Sequence, residues 1–163
     1  MPLLDRKGWK AEAFARDPAA DAAIVPFAGV EAALAARRPG GKIGADVPND
    51  LHPRHLLTYQ DRLDLIAIAF PRFADGRGFS LGRMLREQGY RGTLRATGWI
   101  IPDQFGFALH CGFDEVEIDD EQAARQPIEQ WLRAPGLFSD SYQDTQDGLV
   151  SVFKRRRAAV EAA

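Results

Sequence analysis

The chain has 163 residues, 45% of them hydrophobic and 27% charged, which is the composition of one globular domain and excludes a fibrous or wholly disordered chain. A domain of this length buries roughly 70% of the surface its unfolded chain exposes, so no disulfide or metal is required for stability. The lone Cys111 excludes an internal disulfide and an iron–sulfur cluster held by this chain's thiolates alone, and the formal net charge of -2, from 21 basic and 23 acidic side chains, excludes a general attraction to nucleic acid or anionic membrane.

The first residues, Met1-Pro2-Leu3-Leu4-Asp5-Arg6-Lys7, lack the apolar stretch of a signal peptide, and no run approaches the ~18 apolar residues of a membrane span. The expectation is a cytoplasmic protein without membrane contact. Residues 1–21 read as a loosely packed leader, pinned to the body by Trp9, and residues 22–163 as a single α/β domain. Ala22 to Phe27 is a short apolar run, and Val30, Ala33, Leu34 and Ala35 follow at helical spacing until Arg37-Arg38-Pro39-Gly40-Gly41 stops the helix. Lys42 to Val47 reads as a second strand. Leu51 to Arg62 has helix-like spacing through Leu51, His55, Leu56 and Tyr59, with Pro53 near its start.

The strongest element is Leu63 to Phe70, an almost continuous apolar run closed by Pro71, as expected of a parallel strand covered on both faces. A polar loop, Arg72 to Gly78, leads into a helix marked by Phe79, Met84 and Leu85 and ended near Gln88-Gly89. Thr93 to Ile100 is the next strand, and Asp103 is placed to cap a helix carrying Phe105, Phe107, Ala108, Leu109 and Cys111, ended by Gly112. Val116 to Ile118 forms a short strand. Asp119-Asp120-Glu121 then opens a helix running through Leu132, its carboxylates at the positive end of the dipole. A last helix is expected over 147–163, basic at Lys154-Arg155-Arg156-Arg157. This alternation predicts a predominantly parallel sheet built from right-handed βα units, either an open layered sheet or a partial βα barrel.

In such folds ligands gather beyond the carboxyl ends of the strands. That edge would hold Arg72, Asp75, Arg77 and Ser80 from one loop and Gly98, Asp103 and Gln104 from the next. Two arginine forks beside a helix start would suit an oxyanion such as phosphate, sulfate, sulfite or a carboxylate. Equally, Asp75-Gly76 with Gly78 is a turn sequence, Asp75 can pair with Arg77 or Arg95, and Ser80 can cap its helix. Arg95 lies within a strand, where a buried charge needs a partner, so it is read either as an ion pair with Asp75 or Asp103 or as a ligand contact.

His52 and His55 with Asp50 nearby are too few for a metal site. The adjacent His110 and Cys111 point in different directions on a helix and read as core rather than as nucleophile and base. Trp131, Phe138 and Tyr142, with Asp140 and Asp144, read as a packed C-terminal cover. No dinucleotide fingerprint, P-loop, CxxC, GxSxG or zinc spacing occurs, and neither cofactor nor metal is expected.

The segment Ile68-Ala69-Phe70-Pro71-Arg72-Phe73-Ala74-Asp75-Gly76-Arg77-Gly78-Phe79-Ser80, with Met84-Leu85-Arg86, Leu94-Arg95-Ala96-Thr97-Gly98, Asp103-Gln104 and Cys111-Gly112-Phe113-Asp114, resembles the bacterial DUF934 family. The resemblance implies a small cytoplasmic protein of assimilatory sulfur metabolism, acting beside a sulfite or nitrite reductase haemoprotein, and it supplies no catalytic residues. Sulfite reduction itself needs multi-electron cofactors that this chain has no motif to hold. Three readings stand: an accessory protein of the reductase, working through the polar Arg/Asp loop, a small-oxyanion lyase or transferase, or a purely structural interaction module. The second would use Arg72, Arg77 and Arg95 to hold substrate, with Ser80 and Gln104 alongside and Asp75 or Asp103 as acid or base.

Overall fold

A computed structural model describes residues 1–133. The last expected helix with its basic run, and Phe138, Asp140, Tyr142 and Asp144, lie outside the described residues.

Five parallel strands follow one another across the sheet in chain order: β3 (Ala22–Pro26), β4 (Lys42–Val47), β5 (Leu65–Phe70), β6 (Thr93–Gly98) and β7 (Glu115–Glu117). The helices between and after them are α1 (Val30–Ala35), α2 (Pro53–Leu57), α3 (Arg77–Glu87), α4 (Pro102–His110), α5 (Asp120–Arg125) and α6 (Ile128–Arg133). Neighbouring parallel strands joined by right-handed crossovers place every helix on one face. Val30, Leu34, Leu56, Phe79, Leu85, Phe105 and Leu109 from the helices accordingly share one core with Val25, Ala45, Ile66, Ile68, Phe70, Leu94, Ala96 and Val116 from the strands. The parallel strands run in unbroken chain order, without the reversal that creates the crevice of a doubly wound sheet.

The sheet is mixed, not wholly parallel. Residues expected to form a loose leader supply β1 (Leu3–Asp5) and β2 (Gly8–Lys10), an antiparallel hairpin whose first strand pairs with β7. Leu3 and Leu4 are buried and do the anchoring assigned to Trp9, which is 49% exposed. Three-residue strands carry too little periodicity to be read from sequence, and their stability comes from the neighbour that supplies the hydrogen bonds.

Three other expectations change in detail. Only Pro53–Leu57 of the stretch 51–62 is helical, capped by His52, whose Nδ1 accepts from the Arg54 N–H at 3.3 Å. Ile101, not Asp103, occupies the cap position of α4, because Pro102 fits the first helical residue and pushes Asp103 inside the first turn. The acidic run opens a helix as expected, with Asp119 accepting from the Gln122 N–H at 2.6 Å, but Pro127 separates α5 from α6.

The face of the sheet opposite the helices is built differently. A small apolar group of Ile24, Leu65 and Ala67 is covered by Phe14. Beside it, β6 and β7 alternate Leu94, Ala96 and Val116 toward the helices with Arg95, Glu115 and Glu117 away from them, and the register sets Arg95 directly opposite Glu115.

Candidate functional site

The carboxyl edge of the sheet is formed by the loops after β4, β5 and β6. Its central turn follows Phe70, whose buried ring lies 4.7 Å from that of Phe79 and 5.9 Å from that of Phe113. Gly78 lets α3 approach that ring: a Cβ there would come within 2.5 Å of Phe70. Gly98 ends β6 with φ +97° and lies against the Phe70 carbonyl, a conformation and a closeness that other residues tolerate poorly. Phe70, Gly78, Phe79 and Gly98 are thus the packing frame beneath the loop.

On that frame Asp75 and Arg77 form a bidentate pair, Arg77 Nε donating to Oδ1 at 2.9 Å and Nη2 to Oδ2 at 2.7 Å. The Arg77 backbone N–H also donates to Asp75 Oδ1 at 3.3 Å, so this carboxylate lies at the positive end of α3, the position an external anion would take. Arg77 first, and the neighbouring Asn49 amide second, hold the Asp75 carboxyl well below its ordinary range. Asp75 in turn raises the Arg77 guanidinium. Arg77 reaches back to Asp50 after β4 at 3.7 Å. On the other side Gln104 donates to the Phe73 carbonyl at 2.6 Å and accepts from the Ile101 N–H at 3.3 Å. Three consecutive strand-end loops are therefore tied together, by Asp50–Arg77–Asp75 and by Gln104–Phe73.

Of the residues singled out from sequence, Asp75, Arg77 and Gln104 are used inside this brace. Ser80 is exposed at the fourth position of α3 and does not cap it. Asp103 is exposed in the first turn of α4. The Arg72 side chain is exposed and has no hydrogen bond or ion pair among the described residues, and Phe73 and Trp99 on the same edge are 59% and 49% exposed.

Arg95 does not join the loop, and neither Asp75 nor Asp103 is its partner. It lies on the helix-free face, 1% exposed, and donates to Glu115 at 2.8 Å, to Glu117 at 2.9 Å and bidentately to Glu12 at 2.6 and 2.9 Å. Lys10 reaches Glu115 at 2.5 Å, and Arg16 joins Glu117 at 2.7 Å to Asp46 at 3.2 Å. Burial opposes the charge on Arg95, but hydrogen bonding and attraction from Glu12 and Glu115 outweigh it and raise its pKa. For Glu12, partial burial acts upward, while the Arg95 hydrogen bond, the Phe14 and Ala13 N–H groups and the Arg95 charge lower the carboxyl overall from 4.5. The network closes the strap 10–16 over the sheet. Its sequence signal is the alternation of charged with apolar residues in β6 and β7.

Cys111 is buried, and burial pushes its thiol up to about 11, which suits core packing and not nucleophilic attack. His52 and His55 have ring centroids 6.4 Å apart, and no group of three or more His, Cys, Asp or Glu side chains is arranged to hold a metal among the described residues.

The fold and its edge define an α/β protein with a singly wound sheet whose strand-end loops are braced by their own side chains. The chain belongs to the family described as "Bacterial protein of unknown function (DUF934)", whose model matches residues 44–153. No curated protein matches the chain.

Proposed function

We propose that this protein is a non-catalytic accessory protein of assimilatory sulfite reduction, which docks on the sulfite or nitrite reductase haemoprotein through the carboxyl edge of its sheet. One observation carries the reading: the loops after β4, β5 and β6 are braced against one another while Arg72, Phe73 and Trp99 are left outward. A rigid support presenting arginine and aromatic side chains has the composition enriched at protein interfaces, and little ordering cost attends its docking. The partner is the one that the family resemblance implies.

Charge balance supports docking over anion chemistry. The Nε/Nη2 fork of Arg77 is already on the Asp75 carboxylate and Arg95 faces three glutamates, so each arginine has a carboxylate where an oxyanion would bind. An enzyme of the lyase or transferase type would first have to release Arg77 from its own carboxylates.

Deletion of the gene tests the reading in vivo. Growth on sulfate as sole sulfur source is expected to slow, growth on cysteine to stay normal, and a Phe73→Ala/Trp99→Ala copy to leave the defect uncorrected. Normal growth of the deletion strain on sulfate contradicts it.

A further inference from the structure

At the opposite edge of the sheet, where chain segments enter β6 and β7, lies a cleft of about 640 Å³ between the β1–β2 turn, the last turns of α3 and α4, and the segment before β7. That volume falls within the range of small-molecule sites, about 300–1,000 Å³, and is much larger than a single oxyanion needs. Five cations line it, Arg6, Lys7, Arg83, Arg86 and Arg91, in a chain whose formal net charge is -2, so their gathering is local and not a consequence of overall composition.

The carboxylates in the same wall are already engaged. Asp114 accepts from Arg86 at 2.6 Å and from the Leu94 N–H at 2.8 Å, Glu87 pairs with Arg83 at 2.7 Å, and Asp5 accepts from the Lys7 backbone N–H at 2.7 Å. Arg86 also donates to the carbonyls of Tyr90, Gly92 and Gly112, which fixes its guanidinium in the wall of the cleft. What remains are the Arg6, Lys7 and Arg91 side chains, exposed and with no hydrogen bond or ion pair among the described residues. Asp5, whose hydrogen bond is to a backbone N–H, offsets one of these three charges, so the cleft carries an excess of two positive charges until a ligand of opposite charge enters.

We propose that this cleft binds a small polyanion of the pyrophosphate class, a ligand carrying at least two linked phosphate-type groups, with Arg6, Lys7 and Arg91 as its contacts and Arg83 and Arg86 as the supporting field. The site is separate from the carboxyl edge and does not depend on the docking reading.

Calorimetric titration of the full chain with sodium pyrophosphate tests it, comparing wild type with Arg6→Ser/Lys7→Ser/Arg91→Ser and with Arg72→Ala. Saturable one-to-one binding is expected in the wild type, weakened at least about tenfold in the triple variant and unchanged in Arg72→Ala. If the triple variant does not unfold at the wild-type midpoint, Arg91→Glu alone carries the comparison, with the same loss expected. No saturable binding by the wild type, or equal binding by the cleft variant, overturns the proposal. Tighter binding of a short oligodeoxythymidylate than of pyrophosphate overturns it in favour of nucleic-acid recognition.

Discussion

The helix side of the sheet and the β6–β7 part of its other side are held by opposite physics. Toward the helices, Ile66, Ile68, Phe70, Leu94 and Ala96 pack against apolar helix residues, an interaction without direction that depends on shape and volume. On the other face Arg95, Glu115 and Glu117 are equally buried, and what fixes them is charge pairing with Lys10, Glu12 and Arg16 from a strap distant in sequence. The first face tolerates small changes by repacking, whereas the second loses a neutralising partner with each single substitution. The carboxyl edge borrows from both: Phe70 and Gly78 place its loop by packing, and Asp75 and Arg77 fix the loop's shape by charge.

The largest effect expected from breaking this contrast is that of Arg95→Met. Two glutamates at 1% exposure lose a partner, and a loss of about 3–5 kcal/mol in unfolding free energy is expected by chemical denaturation. Adding Glu115→Gln and Glu117→Gln to Arg95→Met should recover part of that loss, because the excess negative charge left beside Lys10 and Arg16 is removed with them. A triple variant whose loss equals the sum of the single losses would show that the charges are not coupled.

Next comes Gly78→Ala on the packed side, where a methyl group would come within 2.5 Å of the Phe70 ring; a loss of about 1–3 kcal/mol is expected from overpacking, measured the same way. A smaller effect separates the faces by pH. Because the Glu12 carboxyl is lowered below 4.5 in the folded protein, its contribution is present above that value and disappears as pH falls through the lower folded pKa. The stability difference between wild type and Glu12→Gln should therefore shrink on acidification below pH 4.5, in denaturation curves recorded across that range. The smallest effect is that of Arg77→Ala. This pair is at the surface, so the unfolding midpoint should stay close to wild type while amide exchange in the loop 72–76 quickens.

The sequence discloses most readily what depends on neighbours along the chain. Leu63 to Phe70 is legible as a central strand because burial on both faces demands an unbroken apolar run, and Leu65, Ile66, Ala67 and Ile68 are all at most 1% exposed. Asp75 with Arg77 is legible as a turn pair because the two are adjacent to the same glycine. The partners of Arg95 are not, since Glu12 lies 83 residues away and Glu115 faces Arg95 only through the register of β6 on β7. Gln104 shows a third case: its polarity marked it for a ligand, and the side chain is used to tie its own helix start to the Phe73 carbonyl. Polar residues at a strand end can brace loops as readily as they bind, and only the geometry distinguishes the two uses.

The most direct measurement of the central claim is a calorimetric titration of the purified chain into the purified sulfite reductase haemoprotein of the same organism, using wild type, Phe73→Ala/Trp99→Ala and Arg77→Ala. A saturable complex is expected with the wild type, at least about tenfold weaker when both aromatics are removed, with an intermediate loss when the loop's brace is cut. No complex with the wild type, or one that forms equally well without Phe73 and Trp99, would contradict it.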